Sequence, residues 1–242
     1  MTNPRRRWWA PVAIGAIAAV MIAVVIFGNN NGAPEPAVTP QHSAGAQEAH
    51  QGAGDPGAEA RVALERREEG DPLSVGSVEA PVGIVMYSDF QCGFCAVWST
   101  QTLPTVLEYV DAGQVRLEWR DLALFGEASH RAALAAHAAG QQGEYLAFNR
   151  ALFATGNRPD AALLSDEGLT TLASGLGLDV EQFTADRTGA VAATRVQENI
   201  AEARAVGANS TPSFLLNGRP VVGAQPTEVF VAMIEEELAA QP

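Results

Sequence analysis

Hydrophobic residues are distributed unevenly along the chain and divide it into three parts. Ala10 to Phe27 form an uncharged apolar run of 18 residues. As a helix this run would span about 27 Å, close to the ~30 Å hydrocarbon core of a bilayer. Residues 28–60 almost lack bulky apolar groups, so they cannot bury enough surface to offset the entropy of ordering. We therefore predict a transmembrane anchor at residues 10–27, a disordered linker at 28–60 and one folded domain at 71–240.

Within the folded part, two stretches have the composition of strands. Val82–Phe90, with the sequence VGIVMYSDF, is β-branched, aromatic and mostly apolar, which is typical of a buried strand. Gln114–Leu124, with the sequence QVRLEWRDLAL, alternates apolar and polar side chains. That alternation predicts a second strand. Later in the chain, Asn217-Gly218 lies between two short apolar runs and predicts a β-hairpin.

Helical spacing fills most of the remaining sequence. The predicted helices are Ala96–Gly113, His130–Phe153, Ser165–Ser174, a segment capped by Asp179, Gly189–Val206 and Val229–Leu238. Pro104 should kink the first of these helices, and Arg61–Glu69 suggests a short helix ahead of the domain. The order of elements indicates an α/β domain with a helical insertion at about residues 127–207.

Basic residues before the apolar run predict its orientation. Arg5, Arg6 and Arg7 precede it, and positive residues favour the cytoplasmic side of a membrane. Residues 1–9 are thus expected in the cytoplasm and the folded domain outside it. A cleaved signal peptide is the alternative, but the run is long for one and no good small-x-small cleavage site follows it. In either case the domain is exported.

The overall charge excludes one class of partner. The formal net charge is −13, from 28 acidic residues and 15 basic ones, all of which are arginine. Nucleic acid binding requires clustered Lys and Arg, so we expect no nucleic acid partner. The acidity does not itself identify a partner.

The only two cysteines, Cys92 and Cys95, lie directly after the first predicted strand, at the start of a predicted helix. A helix N-terminus offers free N–H groups and the positive end of the macrodipole, which stabilise a thiolate. The thiolate is the reactive form of cysteine, and Cys95 lies one helical turn on, within reach for a disulfide. We predict that a substrate thiolate attacks the disulfide at Cys92 and that a further thiolate resolves the mixed disulfide.

Two other uses of the cysteine pair are less well supported. A zinc site needs two further ligands. The only downstream histidines, His130 and His137, would be about 10 Å apart along one helix, so we expect them at the surface and predict no metal and no cofactor. An inert structural disulfide would close so short a loop that it would constrain the unfolded chain little.

A second motif, Thr211-Pro212, immediately precedes the apolar run SFLL. Proline can begin a strand but cannot sit inside a central one. Most X-Pro bonds in folded proteins are trans. From spacing alone, Pro212 is therefore expected to be an ordinary trans proline.

Four segments together closely resemble the DsbA-like thiol–disulfide oxidoreductases, in particular their membrane-tethered bacterial members. The segments are EAPVGIVMYSDFQCGFC (79–95), LPTVLEYVDAGQVRLEWRDLAL (103–124), QGEYLAFNRALF (142–153) and STPSFLLNGRPVVGAQP (210–226). The resemblance covers about residues 71–240 and implies a thioredoxin fold with a helical insertion.

The same resemblance implies roles for individual residues. It implies that Pro212 is cis and faces the cysteines, and that the backbone at Thr211 pairs with an incoming extended substrate. We accordingly expect Cys92, Cys95 and Pro212 to be catalytic. We expect Thr211 to contact the substrate, together with the two residues between the cysteines, Gly93 and Phe94.

Two positions depart from the family pattern. Many relatives carry proline directly after the first cysteine, where this chain has Gly93, so their redox potential cannot be transferred to it. Thioredoxin-like proteins usually carry a buried acid at the position that Met86 occupies here. The nearest acid, Asp89, is expected on the opposite strand face. The sequence therefore identifies no proton acceptor for Cys95.

The resemblance favours a disulfide oxidase. Such an enzyme would donate the Cys92–Cys95 disulfide to exported proteins with free thiols, and a quinone-coupled membrane oxidase would re-oxidise it. An isomerase or reductase with the same cysteines is the nearest alternative, because a glycine and an aromatic residue between the cysteines also occur among isomerases. A tethered, non-enzymatic metal-handling module is an alternative from a different class.

Overall fold

The computed structural model describes residue 61 and residues 64–241. In that part of the chain, five strands form one sheet in the order β1-β3-β2-β4-β5. The strands are β1 (Ser74–Val75), β2 (Val82–Ser88), β3 (Val115–Asp121), β4 (Ser213–Leu216) and β5 (Arg219–Val222). Strands β2 and β3 are parallel, and the other neighbouring strands are antiparallel. Strand β1 was not predicted, because two residues are too few to show a period.

Eight helices accompany the sheet in the described residues. They are α1 (Gly93–Gln101), α2 (Leu103–Asp111), α3 (Glu127–Gln141), α4 (Tyr145–Leu152), α5 (Asp166–Gly175), α6 (Val180–Thr188), α7 (Ala190–Ala205) and α8 (Thr227–Ala239). Helices α3 to α7 all lie between β3 and β4 in the sequence. The fold is therefore an α/β thioredoxin fold with a helical insertion, as the resemblance implied.

The helix predicted at 96–113 is divided into α1 and α2 at Thr102. Pro104 lies in the first turn of α2, where its missing N–H costs nothing because first-turn N–H groups have no partner within the helix. Instead of the interior kink expected at Pro104, the helix is interrupted two residues earlier, at Thr102. Gly113, with φ +73°, follows α2 in the left-handed conformation that favours glycine.

Local capping and turn signals agree with the structure. The side chain of Ser165 accepts a hydrogen bond from the Gly168 N–H at the start of α5, and the side chain of Asp179 accepts one from the Gln182 N–H at the start of α6. Asn217 and Gly218 have φ values of 43° and 77° and join β4 to β5. Positive φ at both central residues is the requirement of a type I′ hairpin turn.

The large core lies on one face of the sheet. Alternate residues of β2 and β3, from Val82 and Val115 onward, point into it because side chains alternate between the two faces of a strand. Trp98 of α1 packs against Phe214 and Phe230, with ring centroids 5.0 and 5.7 Å away. This packing fixes α1 against the sheet and so positions its first turn at the end of β2.

The opposite face of the sheet carries a buried ion network beneath α7. Glu118 of β3 binds Arg116 at 2.7 Å and Arg120 at 2.8 Å, and Arg120 also binds Glu202 of α7 at 3.0 Å. Burial alone would raise the pKa of Glu118, but hydrogen bonds from the two arginines hold it at about 2. The polar positions of β3 are therefore buried rather than exposed, although the alternation of the strand itself was predicted.

Two expectations from the sequence were wrong. Of the short helix predicted at Arg61–Glu69, Arg61 is helical but residues 64–69 are not, because the N–H groups of Arg66 and Arg67 donate to the Glu118 carboxylate instead of to helical carbonyls. His137, expected at the surface, is 3% exposed. It lies on α3, which is packed against α4, α5, α6 and α7, and burial lowers its pKa.

The predicted anchor at 10–27 and linker at 28–60 lie outside the described residues. In the part that the structure describes, none of the helices is long and apolar enough to span a membrane.

Candidate active site

Cys92 occupies the junction between β2 and α1. It is the N-cap residue of α1, with an extended backbone at φ −89° and ψ 116°. Its N–H donates to the Asp89 carbonyl oxygen at 2.9 Å, which closes the turn between strand and helix. Cys92 is 7% exposed and Cys95, one helical turn on, is completely buried. Both are free thiols in this structure.

Thr211 and Pro212 lie across from Cys92. In its thiol form Cys92 donates to the Thr211 carbonyl oxygen at 3.1 Å, which joins the start of α1 to the residue pair before β4. The peptide bond between Thr211 and Pro212 is cis. The trans proline expected from spacing alone is thus wrong, and the cis proline implied by the resemblance is present. The functional roles assigned to these residues remain predictions.

The two thiols differ strongly in acidity. A hydrogen bond from the Cys95 thiol lowers the pKa of Cys92 to about 6, against the opposing effect of burial. The Thr211 side chain and the N–H groups of Phe94 and Cys95 also lower this pKa. The pKa of Cys95 is raised well above its usual range, first by burial and then by the adjacent Cys92. At neutral pH the pair therefore holds its negative charge on Cys92.

This difference predicts the order in which the reduced thiols react with iodoacetamide. Cys92 should react first. Its alkylation rate should reach half of its maximum at about pH 6, rather than near the pKa of ~8.5 of an ordinary cysteine. Because the hydrogen bond from Cys95 is the main cause, Cys95→Ala should move that midpoint to higher pH, whereas Cys95→Ser keeps a donor and should move it less. Mass spectrometry of alkylated peptides against pH measures both effects. Preferential alkylation of Cys95 would reverse the assignment.

Asp89 and Gln91 attach a neighbouring loop to the strand that leads into Cys92. The carboxylate of Asp89 accepts from the Leu124 N–H at 2.8 Å and from the Ser129 hydroxyl at 2.6 Å. The Gln91 amide donates to the Phe125 carbonyl oxygen at 2.9 Å. Leu124 and Phe125 are consequently held with exposed apolar side chains.

The site thus gains an apolar surface that the motifs did not predict. Phe94, between the two cysteines, is 69% exposed, and Phe125 is 55% exposed. Contiguous exposed apolar patches are typical of contact with another molecule, whereas single exposed apolar side chains are ordinary. Sequence reasoning selected Phe94 from its place in the motif, but it missed Leu124 and Phe125 because they follow β3 and only the fold carries them here.

Met86 occupies the family's usual acidic position, and it is completely buried. It lies between Trp119 of β3 and Phe214 of β4 in the sheet register, so it fills the core. The same face of the sheet holds another carboxyl group, Asp121, which is 1% exposed. The Tyr145 hydroxyl donates to its two oxygens at 3.0 and 2.9 Å.

Sequence reasoning missed Asp121, although a signal was available. Side chains two residues apart on a strand lie on the same face. Val115, Leu117 and Trp119 point into the core, so Asp121 is expected on the same face. A carboxyl group at a core position of a strand is rare enough to require a reason.

No group of three or more His, Cys, Asp or Glu side chains within residues 61 and 64–241 is arranged to hold a metal ion.

Comparison with known protein families identifies one match over most of the described chain. A family model described as Thioredoxin matches residues 68–236. Among solved structures, a thioredoxin-like oxidoreductase from Silicibacter pomeroyi is 30% identical, with a TM-score of 0.59, and the match covers 71% of this chain and 98% of that one. BdbD from Bacillus subtilis is 21% identical with a TM-score of 0.64, covering 71% and 95%, and shares the fold.

Curated relatives fall into two groups. A "Probable disulfide bond formation protein D" from Bacillus anthracis is 27% identical over 150 residues, which cover 60% of this chain and 69% of the relative. A "Na(+)/H(+) antiporter NhaA 1" from Salinispora arenicola is 35% identical over 171 residues, 68% of this chain. The match spans only 24% of that antiporter's length, so the likeness concerns a part of the relative.

Proposed function

We propose that this protein acts outside the cytoplasm as a disulfide oxidase. The chain belongs to the thioredoxin family and is a thiol–disulfide oxidoreductase of the DsbA type. In this role it would transfer the Cys92–Cys95 disulfide to exported proteins with free thiols. Cys92, Cys95 and Pro212 would form the catalytic centre.

The observation that carries the oxidase assignment is the position of Cys92 at the N-terminus of α1, hydrogen-bonded to the residue before Pro212, which agrees with its lowered pKa of about 6. A stabilised thiolate favours the reduced form of the pair, so the corresponding disulfide is readily given up to a substrate. The same thiolate is a good leaving group, because a thiol of lower pKa leaves faster from a mixed disulfide. Both effects favour donation of a disulfide over its retention.

The transfer proceeds in two exchanges. A substrate thiolate attacks Cys92 Sγ, a substrate–Cys92 bond forms, and Cys95 leaves as a thiolate that takes up a proton. A second substrate thiolate then attacks the substrate sulfur of the mixed disulfide, and Cys92 leaves as a thiolate. The substrate loses two electrons and the cysteine pair gains them.

Substrate contacts are proposed around the exposed edge of Cys92. The Thr211 backbone would pair with an extended substrate segment, by strand addition, beside Pro212. Gly93 and Phe94 would lie against the same segment. The exposed Leu124 and Phe125 extend this apolar surface, which would suit the apolar side chains that an unfolded substrate exposes.

Location and electron partner complete the proposal. Three arginines before an 18-residue apolar run support a single-pass anchor with a cytoplasmic N-terminus and an extracytoplasmic domain. An anchored oxidase needs an acceptor for the two electrons that it gains. A quinone-coupled thiol oxidase in the same membrane would supply this acceptor and regenerate the disulfide.

The redox state of the pair in cells tests the oxidase assignment. Cells are quenched in acid, and free thiols are then labelled with a bulky maleimide that retards the protein on a gel. We expect Cys92 and Cys95 to be mostly oxidised, because an oxidase must hold its disulfide ready. A Cys95→Ser variant marks the position of a protein with one free thiol. A mostly reduced pair would instead support the isomerase or reductase alternative.

A further inference from the structure

Asp121 and Cys95 face the same buried region from two elements. In the parallel register of β2 and β3, Ser88 is paired with Asp121, and neighbouring strands lie only about 4.8 Å apart. The Leu122 N–H donates to the Ser88 carbonyl oxygen at 2.8 Å, which fixes this pairing at the strand ends. Ser88 and Asp121 follow Met86 and Trp119 by two residues, so their side chains point to the same core face as Cys95.

The Ser88 side chain relates to both groups: Ser88 is the register partner of Asp121 on β3, and its hydroxyl acts on the Cys95 thiol. It is completely buried and makes no hydrogen bond of standard geometry with the described residues. It is nevertheless close enough to the Cys95 sulfur to lower the pKa of that thiol. A buried hydroxyl without a partner is costly and both donates and accepts hydrogen bonds. It is therefore suited to carry a proton from one neighbour to the other.

We propose that Asp121, held by Tyr145, exchanges a proton with Cys95 through the Ser88 hydroxyl during thiol–disulfide exchange. The proposal rests on the roles assigned above to Cys92 and Cys95. It gives this chain a buried proton-exchange group on β3, since β2 carries Met86 at the usual acidic position.

The proton balance differs between the two directions. When Cys95 leaves the disulfide as a thiolate, the Ser88 hydroxyl gives its proton to sulfur and takes the proton of the Asp121 carboxylic acid, leaving a carboxylate. When the Cys95 thiol attacks a mixed disulfide at Cys92, the proton travels back to the Asp121 carboxylate. Ser88 is unchanged in both directions, and no electrons pass through the relay.

The surroundings of Asp121 allow both its protonated and its ionised form. Burial raises the pKa of its carboxyl group to about 8, against the hydrogen bond from Tyr145 on α4, and the charge of Asp89 at the end of β2 adds to the rise. Burial raises the pKa of Tyr145 well above its usual range, so its hydroxyl stays a donor. A negative charge on Cys95, from α1, acts on the pKa of Tyr145 in the same direction. Asp121 is therefore mostly a carboxylic acid at pH 7, and its pKa lies close enough to neutral pH for it to ionise readily.

The chromogenic disulfide dithiobis-nitrobenzoate separates the two cysteines in time. With the full-length reduced protein, Cys92 attacks first and releases one coloured thiolate, and Cys95 then attacks the mixed disulfide and releases the second. In Asp121→Asn the first phase should keep its rate. The second should slow by about 100-fold near pH 8, the low end of what a positioned proton-transfer group contributes.

Companion variants separate proton exchange from a structural role. Ser88→Ala should slow the second phase while Ser88→Thr, which keeps the hydroxyl, should not. Tyr145→Phe should move the pH midpoint of the second phase upward, because the lost hydrogen bond favours the Asp121 carboxylate. If Asp121→Asn folds and its second phase has the wild-type rate, the relay is overturned. If Asp121→Asn does not fold, a second phase of wild-type rate in Ser88→Ala overturns it. If the wild type itself shows no second phase, the assigned cysteine roles fail instead.

Discussion

A Cys92→Ser variant should transfer no measurable disulfide to a reduced, unfolded ribonuclease, a loss of more than about 1,000-fold. The disulfide cannot form without the Cys92 sulfur, and the remaining Cys95 is completely buried. Cys95→Ser should behave differently, because Cys92 keeps its partly accessible position (7% exposed) at the helix start and its low pKa. This variant should lose turnover but accumulate mixed disulfides with substrate, since no intramolecular thiol can release them.

Recovery of ribonuclease activity measures turnover, and non-reducing gels detect the mixed disulfides. The double variant Cys92→Ser/Cys95→Ser is the matched control and should form no adduct. Trapping through Cys95 in the Cys92→Ser protein, or turnover by either single variant, would contradict the assigned roles. The sulfur-to-oxygen change is nearly isosteric, so thermal melting should show that all three variants fold.

The second large effect concerns stability and pH. Asp121 has a pKa of about 8 in the folded protein, compared with about 3.9 in an unfolded chain. The folded state therefore binds the proton more tightly, and the free energy of unfolding must fall as pH rises from about 4 to 8. One unit of pKa corresponds to about 1.4 kcal/mol, so this group alone accounts for roughly 5 kcal/mol, a large share of the stability of a typical domain.

Asp121→Asn should remove that dependence. The asparagine keeps an acceptor for the Tyr145 hydroxyl and cannot ionise, so the variant should become more stable than the wild type as pH approaches 8. Denaturant unfolding curves at a series of pH values measure the free energy of unfolding of the variant and of the wild type. The contributions of the other titrating groups cancel in the difference between the two. Asp111→Asn, which removes an exposed carboxylate from α2, controls for the change in net charge. A variant less stable than the wild type at pH 8 would contradict the assigned pKa shift.

This stability cost has a functional reason if Asp121 serves the proton relay. A buried carboxyl group without a charged partner is normally replaced by an apolar residue, because burying it costs free energy. Perturbed acids are instead retained where a proton must move at neutral pH. The two Asp121→Asn experiments therefore address the same residue through independent readouts, one thermodynamic and one kinetic.

The sequence by itself determined the local elements and the main motif. The strand before Cys92, the hairpin at Asn217-Gly218 and the caps at Ser165 and Asp179 all follow from short-range chemistry. Each depends on residues within a few positions of one another, so the signal is complete in the sequence. The position of Cys92 at a helix start belongs to the same class.

The tertiary structure alone decided what surrounds these elements. The buried pairing of Glu118 with Arg120 depends on α7 covering one face of β3, and the burial of His137 depends on four helices packed around α3. Asp121 acquires Tyr145 and Ser88 as neighbours because α4 and β2 meet the end of β3. Burial and electrostatic surroundings are set by contacts between residues far apart in the chain, and local sequence patterns do not contain those contacts.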